Sequence, residues 1–506
     1  MYTIFNFLGI DSVLLPSILI PIIFGILLFL PESERRKNLT EAEKRNFYSI
    51  VTGFGLIGSG MLVLEAVFTD GEMVTLFTLH PMLPIILRAD AFGKLFALLV
   101  TIIWICGGFF AFSYMKREKH VKRYFAFYLI LYGVLLGLGF SGNLITMYAF
   151  YELMTLCSFP LVIHNQSKEA IMAAMKYLLY SFFGAYMVLF GIYFMVKYAN
   201  TLSFTPGGTL SSLAQENKPL LLVVVFFMLM GFGVKAGMFP LHGWLPTAHP
   251  AAPAPASAVL SAIIVKSGIF AMIRTVYYII GPDFIRNTWV QTVWLTLSLI
   301  TVFLGSMLAY GEKVLKKRLA YSTVSQVSYV IFGLALLNPI GMAGSLLHIT
   351  AHALIKCTLF LVAGAIIYKT GCTKVDELRG IGKRMPVTMW CYTIASLGLI
   401  GIPPTGGFIS KWYLAGGALN SKIKVFSIAG PIVLLVSALL TAGYLLPVSI
   451  HGFLPGEDFD GSSLKKCEPD KYMLIPIIIL TTLSVLIGLF PNPLIQYFTG
   501  FIIRLM

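Results

Sequence analysis

Charged residues make up only 12% of this 506-residue chain, roughly half the share of an ordinary soluble domain. No stretch is polar enough to coat a soluble domain, so the two or three soluble domains that length alone would suggest give way to one membrane-embedded domain. Acids are the scarcer sign, 22 against 37 Lys and Arg. The resulting charge of +15 could read as a nucleic-acid signal, but the basic residues lie in short runs between apolar segments. They are topology signals, and nucleic acid is not an expected partner. The six cysteines (Cys106, Cys157, Cys357, Cys372, Cys391 and Cys467) form no C-x-x-C. Their scatter argues against an iron–sulfur cluster, a zinc site or a disulfide framework. There is no G-x-G-x-x-G opening a helix after a strand and no haem pair, so neither cofactor nor metal is expected. No basic residue precedes the first apolar run and no small-residue site ends it, which speaks against a cleaved signal peptide.

What the chain has is apolar runs of about twenty residues, the length that crosses roughly 30 Å of hydrocarbon as a helix. Fourteen are expected: 12–30, 47–68, 90–114, 121–140, 142–163, 170–197, 219–238, 255–280, 289–310, 319–337, 341–367, 386–415, 425–450 and 471–490. Loops after the odd-numbered spans hold 23 Lys and Arg, among them Arg35, Arg36, Lys37, Lys316, Lys317 and Arg318, against seven on the other side. The positive-inside rule makes the basic side cytoplasmic and puts both termini outside a cell membrane. The loop acids Asp458 and Asp460 read as solvated surface.

Six lysines remain in or at the edge of spans: Lys94, Lys176, Lys235, Lys266, Lys356 and Lys411. Lys94 and Lys176 sit close enough to span ends to snorkel. Each of the other four would cost roughly 2.5–3.5 kcal/mol near the bilayer centre, so they must face protein or water. Satisfied ion pairs could lock them in place, but Glu65 and Glu152 are too few as partners. An intramembrane ionisable residue is read by default as functional.

Their surroundings sharpen that reading. Glu152 lies midway along the apolar fifth span. In the seventh, Gly231, Gly233 and Gly237 flank Lys235 before Pro240, which suggests a locally unwound helix. Lys266 precedes Ser267 and Gly268. His348, His352 and Lys356 recur every four residues and share one helical face, as a proton relay or as structural hydrogen-bonders. The two histidines lack a third metal ligand. In the twelfth span Pro403 and Pro404 sit between glycines ahead of Lys411, which reads as a second broken helix. Spans 7 and 12 are five apart, so they cross in opposite directions, as in an inverted repeat. His242 and His249, after Lys235, are candidates for proton entry or plain loop packing. Glu65 could tune the pathway or meet a partner chain.

The stretch Lys235-Ala-Gly-Met-Phe-Pro-Leu-His242-Gly-Trp-Leu-Pro-Thr-Ala-His249, with Ala252-Pro253, Ser257 and Lys266-Ser-Gly268, closely resembles one membrane family. That family is the proton-conducting membrane transporters, which include the antiporter-like subunits of respiratory complex I, Mrp-type sodium/proton antiporters and membrane-bound hydrogenases. Further matches are Lys317 through Gln326, His352-Ala-Leu-Ile-Lys356, and Gly401-Ile-Pro-Pro404 through Lys411. The resemblance covers most of spans 3 to 13. It implies an all-α polytopic fold of fourteen transmembrane helices, two inverted five-helix repeats (spans 4–8, residues 121–280, and spans 9–13, residues 289–450), and broken helices 7 and 12. It further implies that Glu152 pairs with Lys235, that Lys266, His348, His352 and Lys356 form the central relay, and that Lys411 is its far terminus.

The expected function is proton translocation by one membrane subunit of a multisubunit ion-pumping complex, with other membrane subunits and the lipid bilayer as partners. Desolvated lysine can release its proton near neutral pH, which suits it to such a row. A sodium conductor would need clustered oxygen ligands, and a lysine row repels cations; sodium could cross in a partner chain instead. A purely structural subunit leaves the buried lysines unexplained.

Overall fold

Helices begin where a short polar side chain can satisfy a bare backbone N–H. In this computed structural model, residues 12–31, 38–69, 71–78, 80, 83–456 and 465–506 are described. Arg35, Arg36, Lys37, Asp458 and Asp460 lie outside them. Helix α1 (Leu14–Phe29) is followed by α2 (Glu41–Phe68), whose Thr40 cap forms a reciprocal box with Glu43. Asp90 caps α3 (Ala91–Tyr114); α4 (Val121–Gly139) follows without a side-chain cap. Asn143 caps α5 (Leu144–Val162) and Ser167 caps α6 (Lys168–Tyr198). Next come α7 (Lys218–Ala236), the short α8 (Leu245–Ala251), α9 (Ala254–Ile280), α10 (Trp289–Gly311) and α11 (Leu315–Ala335). The chain ends with α12 (Pro339–Thr370, capped by Asn338), α13 (Pro386–Ile400), α14 (Gly406–Leu419), α15 (Lys424–Phe453), α16 (Lys471–Leu489, capped by Asp470) and α17 (Asn492–Leu505).

Among the described residues, eleven helices are long and apolar enough to cross a membrane. The chain is a mostly helical polytopic membrane protein. Helices also cover the other three expected spans, each short of that standard for a visible reason. Helix α1 has only 16 residues, α11 is diluted by Arg318 and by Ser322, Thr323, Ser325, Gln326 and Ser328, and the twelfth span is split between α13 and α14. The all-α expectation needs one amendment. Between α2 and α3 an antiparallel hairpin pairs β1 (Met73–Thr78) with β2 (Pro84–Arg88). These runs are too short to span but rich in β-branched and aromatic residues, which favour a ladder over a loop.

Burial sorts the helices into centre and rim. Helices α9 and α12 are enclosed along their apolar length, whereas α6 and α15 turn most of theirs outward. Leu179, Phe183, Tyr186 and Tyr193 form an exposed row on α6, and Val425, Ile428, Leu435 and Leu439 another on α15. Continuous apolar faces of this size are suited to lipid and not to water. Against α12 pack α11, α13, α14 and α9, so the histidine-bearing helix lies at the middle of the bundle.

Candidate functional site

A glycine ends the first half of each broken helix. Gly237 stops α7 at φ +71°, and Gly401 stops α13 at φ +91°, the left-handed conformation that a Cβ disfavours. The break in the seventh span differs from expectation in position. Helix α7 stays intact through Gly231, Gly233 and Lys235, and the backbone unwinds only over 237–244 before α8 resumes. Interior glycines weaken a helix by about 1 kcal/mol each, which packing readily overrides.

Lys235 therefore stands in the last turn of α7, where the helix dipole favours a cation. Its ammonium donates to Tyr177 Oη at 2.7 Å and Ser181 Oγ at 2.9 Å, both from α6, and lies 4.3 Å from the Tyr177 ring centre. The Tyr177 hydroxyl in turn meets Ser158 of α5 at 2.6 Å. Glu152, half-buried on α5, makes no direct ion pair with Lys235, and its Oε1 is buried without a hydrogen-bond partner. The expected Glu152–Lys235 pair is therefore not in contact here: the Lys235 ammonium is bonded to Tyr177 and Ser181 instead.

Lys411 sits on the other side of its break. It belongs to α14, is partly buried, and reaches back to donate to the carbonyls of Leu399 (2.8 Å) and Ile400 (2.9 Å), the last of α13. These carbonyls have no partner within their own helix, so the ammonium caps that helix. Gly407 makes the geometry possible, because a Cβ there would collide with the Gly398 carbonyl. The Lys411 nitrogen also lies 4.9 Å from the Tyr329 ring centre.

Between the two breaks the interior holds three cationic or imidazole positions from α12 and one from α9. Lys266 on α9 donates to Ser261 O at 2.6 Å, and Lys356 on α12 donates to Leu319 O of α11 at 2.9 Å. Both lysines are buried, and among the described residues neither makes an ion pair. On α9 the backbone widens to π-helical spacing over Leu260–Ile264, one turn before Lys266, a feature frequent at functional sites. Gly268 lets α7 come close, since a Cβ there would lie 3.1 Å from Lys235 Cβ. His348 and His352 share a face as expected, their rings stacked at 5.6 Å; His348 Nδ1 meets Ser410 Oγ of α14 at 2.9 Å and its ring stacks on Tyr329. His348 Nε2 and both ring nitrogens of His352 are buried without protein partners. Buried polar atoms of that kind are ordinarily met by water.

Of the two candidate entry histidines, His249 is fully buried on α8, stacked on Phe360 at 4.9 Å with both ring nitrogens unpartnered. His242 lies half-buried in the break beside Phe239. Lys176 is half-buried near the Tyr180 ring, and Lys94 is buried and donates to Thr69 O at 2.6 Å. Glu65 is half-buried on α2 and joins none of these clusters.

Three buried charges escaped the set of six lysines. Arg274 on α9 has no exposed side-chain surface and forks onto Asp90, with bonds of 2.5 and 2.7 Å, while Phe92, Phe204, Phe270 and Tyr278 surround its guanidinium. Lys316 and Arg318, counted as loop topology signals, are buried. Lys316 donates to the carbonyls of Pro250 and Ala252 at the end of α8, and Arg318 to those of Glu312 and Tyr444. A charged residue in the first helical turn looks like loop in the amino-acid pattern, so the burial of these two has no signal in the sequence.

Lysines and histidines enclosed among the helices, with one lysine beside each of two helix breaks, mark a polytopic membrane protein with ionisable side chains in its interior. The family model described as "NADH:quinone oxidoreductase/Mrp antiporter, TM" matches residues 141–441, more than half of the chain. The chain belongs to that family. It is 33% identical to NADH-quinone oxidoreductase subunit N of Desulforudis audaxviator over 75% of this chain and 77% of that one. It is 30% identical to a Na(+)/H(+) antiporter subunit of Bacillus subtilis, covering 95% of this chain and 94% of the relative. Its fold matches a chain of the Mrp complex from Dietzia sp. with a TM-score of 0.82 at 21% identity, covering 98% and 97% of the two chains. A chain of Thermus thermophilus respiratory complex I matches with a TM-score of 0.78 at 21% identity, covering 97% of this chain and all of that one. At those identities the structural likeness speaks for the fold alone.

Proposed function

We propose that this chain is the proton-translocating subunit of a multisubunit membrane complex of the Mrp antiporter, complex I or membrane-hydrogenase kind. Protons pass along Glu152, Lys235, Lys266, His352, Lys356, His348 and Lys411, with His242 and His249 at the entry. One observation carries the reading: Lys235, Lys266 and Lys356 are buried, and among the described residues their ammonium groups bond to hydroxyls and backbone carbonyls and form no ion pair. Buried cations with a structural role are normally paired, as Arg274 is with Asp90, or hold carbonyls at a helix boundary, as Arg318 does; Lys266 and Lys356 stand in mid-helix at the centre of the bundle, where neither role applies.

Lysine fits a carrier because a desolvated ammonium releases its proton, whereas a guanidinium does not. Glu152, when ionised, favours the charged form of Lys235; when neutral, or when positive charge accumulates at Lys266, it lets the proton move inward. Water held by the unpartnered imidazole nitrogens links Lys266 to His352, Lys356 and His348, and Ser410 joins His348 to the helix carrying Lys411. Residues 121–280 and 289–450 act as inverted repeats, each with one broken helix. The side bearing Lys317 and Lys369 faces the cytoplasm of a plasma membrane, with both termini outside. Other membrane subunits supply the driving reaction, and any sodium passes through one of them.

The test is transport by the assembled complex in everted membrane vesicles, followed with a pH-sensitive dye. Lys235→Ala and Glu152→Ala are each expected to leave assembly intact while transport drops sharply. Unchanged transport in both would refute the assigned roles.

A further inference from the structure

The membrane face opposite the basic loops is poor in cations, with seven Lys and Arg in its loops against 23. Yet Arg88, Lys94 and Arg504 meet there around one cleft of about 620 Å³. The chain brings them from distant places: Arg88 ends β2, Lys94 lies in the first turn of α3, and Arg504 lies at the end of α17. The positive-inside rule selects against cations on this face, so topology does not account for their gathering.

Their charges do not cancel within the cleft. Among the described residues its lining holds one acid, Asp90, whose carboxylate already takes both bonds of the Arg274 fork. The half-exposed Arg88 guanidinium stands 3.4 Å from the same carboxylate and donates to Phe204 O at 2.6 Å. One carboxylate thus faces two guanidiniums, which leaves a positive charge over. Arg504, exposed on α17, adds a second. Lys94 lines the same cleft, buried, with its ammonium on Thr69 O at 2.6 Å.

The walls turn apolar with depth. Tyr497 stands near the mouth, its hydroxyl donating to Ala91 O at 2.7 Å, while Val67, Leu95, Leu98 and Leu494 line the rest. Leu98 lies about 6 Å further along α3 than Lys94, toward the hydrocarbon. Outside the cleft, α2 turns Met61, Leu64 and Phe68 outward and α17 turns Ile503 outward. A small soluble anion would meet the cations and leave these walls bare. A molecule with an anionic head and long apolar chains meets both.

We propose that this cleft binds the headgroup of an anionic phospholipid, with the phosphodiester among Arg88, Lys94 and Arg504 and the acyl chains running past Leu98 and the outward face of α2. Guanidinium groups suit the task because their fork of N–H donors matches two phosphate oxygens. Binding there depends on none of the interior lysines. The lipid would pin α17 to the start of α3 and to the hairpin from outside.

The experiment titrates the assembled complex, washed in detergent, with phosphatidylglycerol and separately with phosphatidylcholine of the same chains, and counts bound lipid by native mass spectrometry. Arg504 is exposed at the end of a helix, so its replacement leaves the fold alone; the melting temperature without lipid checks this. One cation beside an anionic headgroup is worth about fivefold in binding. Arg504→Gln is therefore expected to weaken one phosphatidylglycerol site per chain about fivefold, Arg504→Glu about 25-fold, and Arg504→Lys little, with phosphatidylcholine binding alike in all. Equal phosphatidylglycerol binding by wild type and Arg504→Glu would overturn the site. Equal affinity for phosphatidylcholine would reduce it to an apolar groove, and displacement of the lipid by millimolar glycerol phosphate would make it a soluble-anion site; either result overturns the lipid. A photoactivatable tag on Arg504→Cys should label lipid, and labelling of another subunit instead would show that a partner chain fills the cleft. If Arg504→Glu fails to assemble, Arg504→Gln decides by the same count.

Discussion

Lys235 and Lys411 both stand beside a helix break that a left-handed glycine begins, yet one is held by side-chain hydroxyls and the other by backbone carbonyls. A hydroxyl both donates and accepts; a carbonyl only accepts. The surroundings of Lys235 can therefore pass a proton on through Tyr177 and Ser158, while those of Lys411 can only hold one. Under the proposed function, the second half must find its relay elsewhere, in His348 with Ser410. The halves also differ in bracing. The first is locked by the enclosed Arg274–Asp90 fork, whereas the second relies on hydroxyls and Arg318 bonded to carbonyls.

The largest effect that would break this comparison comes from the lysines themselves. Lys235→Ala and Lys411→Ala should each cut transport by about 100-fold or more, a loss expected when a proton-transfer group is removed. Lys411→Arg should be nearly as damaging, since arginine does not surrender its proton. If only the first-half variant failed, the halves would not be in series. Next in size is the brace. Asp90→Ala leaves Arg274 charged in an aromatic cage, and breaking a buried pair from one side costs about 3–5 kcal/mol. Hydrogen exchange should show α9 and the start of α3 opening first; equal protection in the variant would remove the brace from the account.

A smaller effect follows acidification. His164, just beyond α5 and fully enclosed, is pushed down to about 4, first by burial and then by the Arg123 cation. The unfolded chain binds this proton near its ordinary value of about 6.5 and the folded one only near 4, so the stability His164 lends is present above about pH 6.5 and declines as pH falls toward 4. The expected loss is on the order of 2–3 kcal/mol. Melting curves across that window should steepen their fall in the wild type and flatten in His164→Gln; parallel curves would contradict it. The smallest change is the pair Tyr177→Phe, Ser181→Ala, which strips the hydroxyls from Lys235. It should slow transport about tenfold by the same proton-transfer reasoning. No side-chain substitution can do the same to Lys411, whose partners belong to the main chain.

How far the amino-acid pattern foretold these arrangements depends on the distance over which each is decided. The mostly helical, apolar-run pattern and the presence of two interruptions, though not the exact place of the first, rest on neighbours a few residues apart and are readable from the letters. So is the His348, His352 and Lys356 face, set by helical periodicity. The Arg274–Asp90 fork joins residues 184 apart and has no local signature. The buried contact of Ser306, Ser325 and Ser437 has no local signature either, because serine is neutral in hydropathy and only the packing of α10, α11 and α15 brings the three together. The π-helical widening before Lys266 breaks no sequence rule and shows itself only in the backbone. Lys411 facing carbonyls, not an acid, depends on Gly407 letting α14 fold tightly onto α13.

The enclosure of α12 from Gly341 to Ile366 has a consequence for how this chain tolerates change. A rim helix can trade one greasy side chain for another because fluid acyl tails reshape around it. Along that stretch α12 has only fixed neighbours, so a swap there must be matched on α3, α9, α11, α13, α14, α16 or α17 of the same polypeptide. A saturation scan scored by growth should therefore show a nearly intolerant band along residues 341–366 and a permissive outward face on α15; comparable tolerance in the two would mean that the centre is softer than its packing implies.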